Sequence, residues 1–217
     1  MSTRAVVVVG AGPGVSGSLA RRYAADGWSV GLVGRNVEQV ALLAEELGAA
    51  GVRVETEIVD MTGPEAADAV RRVAERLGRV DVLHFNPSAF RERDPLELSV
   101  PDLLADVALG VGALLTAVQA VRPLLVEGGR ITVTGSMAAD RPWHRAASLG
   151  VQKAGVRNLV HSLDATLRDD GIRAVSVTVN GTLGDDGPFS PDRVAEALVA
   201  AARQDEGDWR TEVPYDG

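Results

Sequence analysis

The stretch Val6-Val7-Val8-Val9-Gly10-Ala11-Gly12-Pro13-Gly14-Val15-Ser16-Gly17 decides the fold of this chain. A run of β-branched residues meets a glycine-rich turn. The turn runs into a helical segment with Leu19, Ala20, Tyr23 and Ala24 on one face and Gly27 just past its end. Strand, glycine turn and helix in this order form the unit that cradles a dinucleotide pyrophosphate. Glycine permits the tight turn, and its missing side chain lets backbone N–H groups approach phosphate oxygens. The positive end of the helix dipole then favours the anion. Two registers fit. Gly12, Gly14 and Gly17 spell G-x-G-x-x-G, whereas Gly10, Gly14 and Ser16 fit a longer-spaced variant. The second is preferred, because it puts the first glycine where the strand turns. Any tight strand-to-helix turn can carry such glycines. The next strand, Ser29 to Val33, completes the larger unit.

Outward from this turn the apolar pattern alternates between the two periods. It predicts strands near 4–9, 29–33, 52–59, 80–84, 129–134 and 173–179, with a short last one near 210–214. Helices are predicted near 14–26, 36–48, 64–77, 100–125, 147–169 and 191–204. Strict alternation implies an α/β fold: a single-domain, Rossmann-like, doubly wound parallel sheet over 1–217 with helices on both faces. A length of 217 residues suits one such domain with a full core, and 46% hydrophobic residues argue against disorder. A net charge of −8 argues against nucleic-acid and anionic-membrane partners. The chain has no cysteine, which excludes disulfides and thiolate metal sites. No His/Asp/Glu grouping has metal-ligand spacing, so no metal is expected. Met1-Ser2-Thr3-Arg4 leads straight into the first strand, and no apolar stretch is read as reaching the ~20 residues of a membrane span. A cytoplasmic protein without a leader is therefore expected.

Ligands of such sheets bind beyond the carboxyl ends of the strands. The residues there are Gly34-Arg35, Asp60-Met61-Thr62, Asn86-Pro87-Ser88, Gly135-Ser136 and Asn180-Gly181-Thr182. With these landmarks in order, the chain resembles the short-chain dehydrogenase/reductase family over essentially its whole length. The family's first-strand fingerprint falls on Gly10, Gly14 and Ser16, with serine where a third glycine is usual. Its adenine-contacting acid falls on Asp60, followed by Thr62. Its Asn-Asn-Ala-Gly segment is replaced by Phe85-Asn86-Pro87-Ser88, and its Pro-Gly segment by Asn180-Gly181-Thr182-Leu183.

The resemblance implies a nicotinamide cofactor held by Gly10, Gly12, Gly14, Val15, Ser16, Arg35, Asn36, Asp60, Met61, Asn86, Lys153, Gly181, Thr182 and Leu183. Charge suggests which cofactor. A carboxylate at the end of the second strand would accept from a ribose 2′-hydroxyl and repel a 2′-phosphate. Here that place holds Gly34, Arg35 and Asn36. A guanidinium pairs bidentately with phosphate, so NADP(H) is expected over NAD(H). Arg35 also reads as a solvated residue at a helix entrance, and Asp60 as a turn residue before Thr62-Gly63-Pro64.

The catalytic positions depart from the family. Ordinary members use Asn, Ser, Tyr and Lys. The serine and lysine positions hold Ser136 and Lys153, but the tyrosine position holds Leu149, and the asparagine position falls on Gly110. Leucine has no proton to exchange. The chain's two tyrosines are Tyr23, expected in the core, and Tyr215, which follows the last strand and would reach a site only by folding over. His144, in Asp140-Arg141-Pro142-Trp143-His144-Arg145, is a candidate replacement donor, read equally as an exposed loop histidine. His84 reads as buried and His161 as a surface or interface residue. Ser136 lacks the Gly-x-Ser-x-Gly elbow of hydrolases.

The substrate lid is short, Leu183 to Ser190, with Asp185-Asp186 at its tip. Trp143, Phe90 and Phe189 are candidate apolar walls. The resulting expectation is an NADP(H)-binding oxidoreductase with a degenerate active site, acting on a small carbonyl or alcohol. A non-redox enzyme on the same fold (isomerase, cyclase or lyase type) and a non-catalytic dinucleotide-binding protein remain alternatives. The family resemblance also implies a homodimer or homotetramer formed through the helices near 100–125 and 147–169.

Overall fold

The computed structural model describes residues 3–217, so the reading of Met1-Ser2 as part of a short lead-in lies outside the described residues. Seven strands form one sheet: β1 (Ala5–Val9), β2 (Ser29–Gly34), β3 (Val54–Ile58), β4 (Val80–Phe85), β5 (Leu125–Ser136), β6 (Arg173–Val179) and β7 (Glu212–Tyr215). Their order is β3-β2-β1-β4-β5-β6-β7, and every pairing is parallel. Parallel neighbours need crossover helices, which cover both faces. These are α1 (Val15–Ala25), α2 (Val37–Ala49), α3 (Ala66–Leu77), α4 (Val100–Val107), α5 (Ala113–Val121), α6 (Ala147–Leu167) and α7 (Pro191–Ala202).

Alternation along the strands splits the core in two. On β1, Val7 and Val9 join a cluster with Val73 of α3, Leu114 of α5 and Val160 of α6. Val6 and Val8 join the other, with Leu19 and Tyr23 of α1 and Leu198 of α7. The edge strand β3 is charged instead. Its Glu55 and Glu57 are bridged by Arg72 and Arg76 of α3, which blunts an open sheet edge. Tyr23 lies in the core, 1% exposed.

Two elements differ from expectation. The helix expected over 100–125 is interrupted by a π-helical turn, Ala108–Gly112, between α4 and α5, and ends in a 3-10 turn. Its 25-residue stretch Val100–Leu124, which holds an 18-residue window of mean hydropathy 1.8, is long and apolar enough to cross a membrane by length and composition, contrary to the sequence reading. Among its charged residues Asp102, Asp106 and Arg122 lie towards the two ends, leaving an uncharged middle. In this fold Leu114, Ala117, Val118 and Val121 of α5 pack into the core. Strand β5 begins earlier than expected, because Leu125 pairs with Val80 ahead of a register shift.

Candidate cofactor cleft and catalytic corner

Crossovers from β1 run to β2 on one side, while β4 pairs on the other, so a crevice opens where β1 and β4 end. Val9 sits beside Phe85, and the Asn86 N–H donates to the Val9 carbonyl at 3.0 Å. The chain leaves β1 at Gly10 with φ +83°, a conformation that side-chain-bearing residues rarely adopt. A Cβ there would lie 2.9 Å from Pro87 Cδ. At Gly17 a Cβ would lie 2.7 Å from the Gly12 carbonyl oxygen. The two glycine registers are thus complementary: Gly10 makes the turn and Gly17 lets α1 pack against the loop. No side chain caps α1, and a Cβ on its N-cap Gly14 would meet nothing within 4 Å. The leading N–H groups of α1 therefore face open space suited to an anion. Asn86 braces the turn by donating to Ser16 Oγ at 2.9 Å.

A cleft of about 380 Å3 continues from this turn. It brings together Gly10, Gly12, Arg35, Asn36, Asp60, Met61 and Asn86 of the expected cofactor residues. Gln39, Pro87, Ser88 and Leu109 also line it and were not on that list. Gly14, Val15, Ser16, Lys153, Gly181, Thr182 and Leu183 are not among its lining. Gly34 tolerates no side chain, because a Cβ would lie 2.8 Å from the Ala11 carbonyl oxygen. Arg35 is exposed and hydrogen-bonds to no described residue. The Asn36 carbonyl oxygen caps α2 by accepting from the Gln39 N–H at 3.0 Å, which leaves its NH2 free. Asp60 Oδ1 accepts from the N–H and hydroxyl of Thr62, at 2.8 and 2.7 Å. Those bonds, with the charge of Arg35, hold the Asp60 carboxyl below the usual range.

A larger, open hollow of about 930 Å3 lies between the lid and α7 and shares no residue with this cleft. Asp185, Asp186, Asp192 and Glu196 line it together with Pro13 of the glycine turn and Ser18 of α1, so the lid acids lie in a trough that the turn itself borders. Phe189 packs on Gly181 and meets Tyr215 edge-on at 5.8 Å.

The catalytic corner is differently occupied. Ser136, at the end of β5, accepts from the Ala138 N–H at 3.2 Å. Lys153 on α6 is 7% exposed and donates to the Thr134 carbonyl at 2.8 Å. Burial pulls its amine down to about 8. Leu149 is half-buried and brings no polar atom. Neither tyrosine replaces it: Tyr23 is in the core, and the Tyr215 hydroxyl donates to the Pro188 carbonyl. His144 does not join this corner. It is exposed in a separate groove of about 560 Å3 with Glu92, Arg93, Asp94, Glu97 and Arg145, because the 140–145 loop turns its polar side chains to solvent. His84 is fully buried with Nδ1 3.0 Å from Thr132 Oγ1, and its Nε2 has no partner. Burial, opposed by Thr132 and aided by Lys153, holds its pKa near 3.

Gln152, which the sequence reading passed over, fills the space beside Gly110. A Cβ on Gly110 would lie 2.5 Å from Gln152 Oε1. Beside it, Asp106 of α4 accepts from Ser148 at 2.7 Å and from Arg91 twice at 3.1 Å. Burial pushes the Asp106 carboxyl up, but those donors hold it below the usual range.

An all-parallel sheet with a glycine turn in its central crevice defines a dinucleotide-binding class. Residues 4–185 match the short chain dehydrogenase family, and the chain belongs to it. It is 31% identical to sulfoacetaldehyde reductase 2 of Chromohalobacter salexigens over 177 residues, covering 79% of this chain and 70% of that one. A dehydrogenase/reductase from Sinorhizobium meliloti superposes with TM-score 0.89 at 25% identity, covering 100% and 95% of the two chains. A short chain dehydrogenase from Burkholderia cenocepacia, solved in complex with NADP, gives TM-score 0.87 at 28% identity over 100% and 97%. The chain is thus a member of an oxidoreductase family with neighbours that bind a nicotinamide dinucleotide.

Proposed function

We propose that this chain binds NADP(H) in the crevice between β1 and β4 and acts on a small carbonyl or alcohol with a degenerate catalytic set. The observation that carries the cofactor reading is the cleft itself: an uncapped α1 beside an open glycine turn, with Arg35 unpaired at its far side. A guanidinium that feels Asp60 through charge alone and makes no hydrogen bond to a described residue suits a ribose 2′-phosphate. Gly34 leaves no carboxylate there to repel one. The NADP-bound relative and the reductase named above support the same cofactor and a carbonyl substrate.

Bound NADP(H) supplies the hydride. The chain's own residues divide the other tasks. Ser136 offers a hydroxyl to a substrate oxygen. Lys153 holds positive charge behind it, tied to the Thr134 carbonyl. Leu149 moves no proton, and His144 faces another groove, so water is the proton source in this reading. Exposed Val100, Leu104 and Leu115 of α4 and α5, with Val151 of α6, support self-association through these helices.

A second reading, dinucleotide binding without hydride transfer, is favoured by Gln152 occupying the space beside Gly110. The test is titration of the wild type and Arg35→Ala with NADPH and NADH, followed by a carbonyl panel. The proposal expects NADPH to bind more tightly and Arg35→Ala to lose that preference by about 5- to 30-fold, a charge-assisted bond discounted for exposure. An unchanged ratio sinks the phosphate clamp. Tight binding with no turnover on any carbonyl selects the second reading.

A further inference from the structure

Gln152 is the most fully engaged polar side chain near the cleft, and no step of the proposed function uses it. It is completely buried on α6, one residue before Lys153. Its Oε1 accepts from the Ala89 N–H at 2.9 Å. Its Nε2 donates to the Ala89 carbonyl at 3.1 Å and to the Ser148 carbonyl at 3.2 Å. One amide thus grips both backbone groups of one residue, as a neighbouring strand would. A primary amide alone can do this, since it offers a donor and an acceptor side by side.

Ala89 sits in the segment that leaves β4. That segment gives Asn86, Pro87 and Ser88 to the cofactor cleft. One residue on, Phe90 stacks on Trp143 with ring centres 6.3 Å apart. Asp106 pins the far end through Arg91, and it also holds Ser148, the residue whose carbonyl Gln152 meets. The segment has no regular secondary structure of its own over 86–92, so these side chains hold it. Gly110 makes the arrangement possible. A Cβ there would come within 2.5 Å of Gln152 Oε1, 2.8 Å of its Cγ and 2.9 Å of its Cβ. Glycine at 110 and glutamine at 152 form a matched pair.

We propose that Gln152, admitted by Gly110, is a positioning residue that clamps Ala89 and so holds the Asn86–Ser88 floor of the cleft in its dinucleotide-binding shape. This rests on the cofactor reading above. Gln152 touches no part of the ligand site itself and acts through the backbone of Ala89. Its effect therefore falls on whatever NADPH and NADH share, whereas Arg35 distinguishes between them.

The experiment measures NADPH and NADH dissociation constants, thermal midpoint and hydrogen exchange of the Ala89 amide for wild type, Gln152→Met, Gly110→Ala and the double variant. Methionine keeps the volume and removes the three hydrogen bonds. The expected result is faster Ala89 exchange and about tenfold weaker binding of both dinucleotides in Gln152→Met, with their ratio unchanged. Gly110→Ala should give the same loss by expelling the amide, and the double variant should lose no more than either single one. Faster exchange with unchanged dissociation constants, or losses that multiply in the double variant, overturns the proposal. Wild type that binds neither dinucleotide overturns the cofactor reading and this proposal together. Binding by wild type that Gln152→Met leaves intact overturns this proposal alone. Should Gln152→Met fail to fold, Gln152→Asn, one methylene short of Ala89, is read by the same criteria.

Discussion

Replacing His84 with leucine should remove much of the protein's sensitivity to mild acid. His84 lies on β4, is 0% exposed and contacts Thr132 through Nδ1. Burial holds its pKa at about 3, against 6.5 for a free histidine. The unfolded chain therefore takes up a proton between those values that the folded chain refuses. The contribution of neutral His84 is whole above pH 6.5 and is lost as pH falls towards 3. Linkage across the pH 7 to 5 step gives a loss of about 2 kcal/mol, rising to about 4–5 kcal/mol once both states are protonated. In urea that is a midpoint shift of roughly 1 M between pH 7 and 5. The pH 5 limit separates this effect from the carboxylates. Glu57, for example, is held down to about 2 by the Arg72 hydrogen bond against 4.5 when free, so its contribution is lost mainly below pH 4.5. The assay is urea unfolding at both pH values for wild type and His84→Leu. The variant loses the Thr132 contact and starts less stable at pH 7, so the change with pH is the readout. A variant that loses as much stability as wild type between pH 7 and 5 would refute the assignment of that sensitivity to His84.

Lys153→Met probes the opposite end of the scale. Burial lowers the amine to about 8, so the folded chain sheds its proton before the unfolded chain does. Wild type should gain about 1–2 kcal/mol between pH 8 and 9.5, and Lys153→Met should gain none, by urea midpoints. Asp164 accepts from Arg173 twice at 2.9 Å, from the Ala174 N–H at 2.9 Å and from Thr211 at 3.1 Å, with its carboxylate nearly inaccessible. Asp164→Ala should cost about 2–4 kcal/mol, because the Ala174 N–H loses its acceptor and Arg173 is left with Glu206 and the Trp209 ring alone. Leu149→Tyr adds a phenol to the catalytic corner. Carbonyl reduction that rises at least tenfold with NADPH identifies the missing proton donor as the limit, and no gain points to the Gln152-filled corner as a second block.

The parts of the molecule that follow from local periodicity were legible in the sequence. The valine run of β1 and its glycine turn placed the crevice, and the landmark order from Asp60 to Asn180 placed the other strand ends. Arg35, Asp60 and Asn86 come together at one cleft because a strand end in a parallel sheet is a predictable address. Gln152 was not, since a single glutamine on a helix reads as a solvated residue until α4 and the β4 loop close over it. The usable signal was its place one turn after Ser148, on the stripe next to the one that carries Lys153 four residues beyond Leu149. The π turn at Ala108–Gly112 escaped for a related reason. Gly110 and Gly112 marked a weak point in the helix, but what it accommodates lies across on α6. His144 failed in the other direction: its chain position suggested the cleft edge, and the loop carries it into a charged groove instead.

The interlocking of residues 110 and 152 also makes the two positions change only as a pair. Putting any side chain at 110 while Gln152 stands brings its Cβ to 2.5 Å from Gln152 Oε1. Removing Gln152 first frees Ala89 and leaves a polar void in the middle of the molecule. A side chain at 110 would therefore need residue 152 to change with it, a coupling that substitutions at exposed positions do not face.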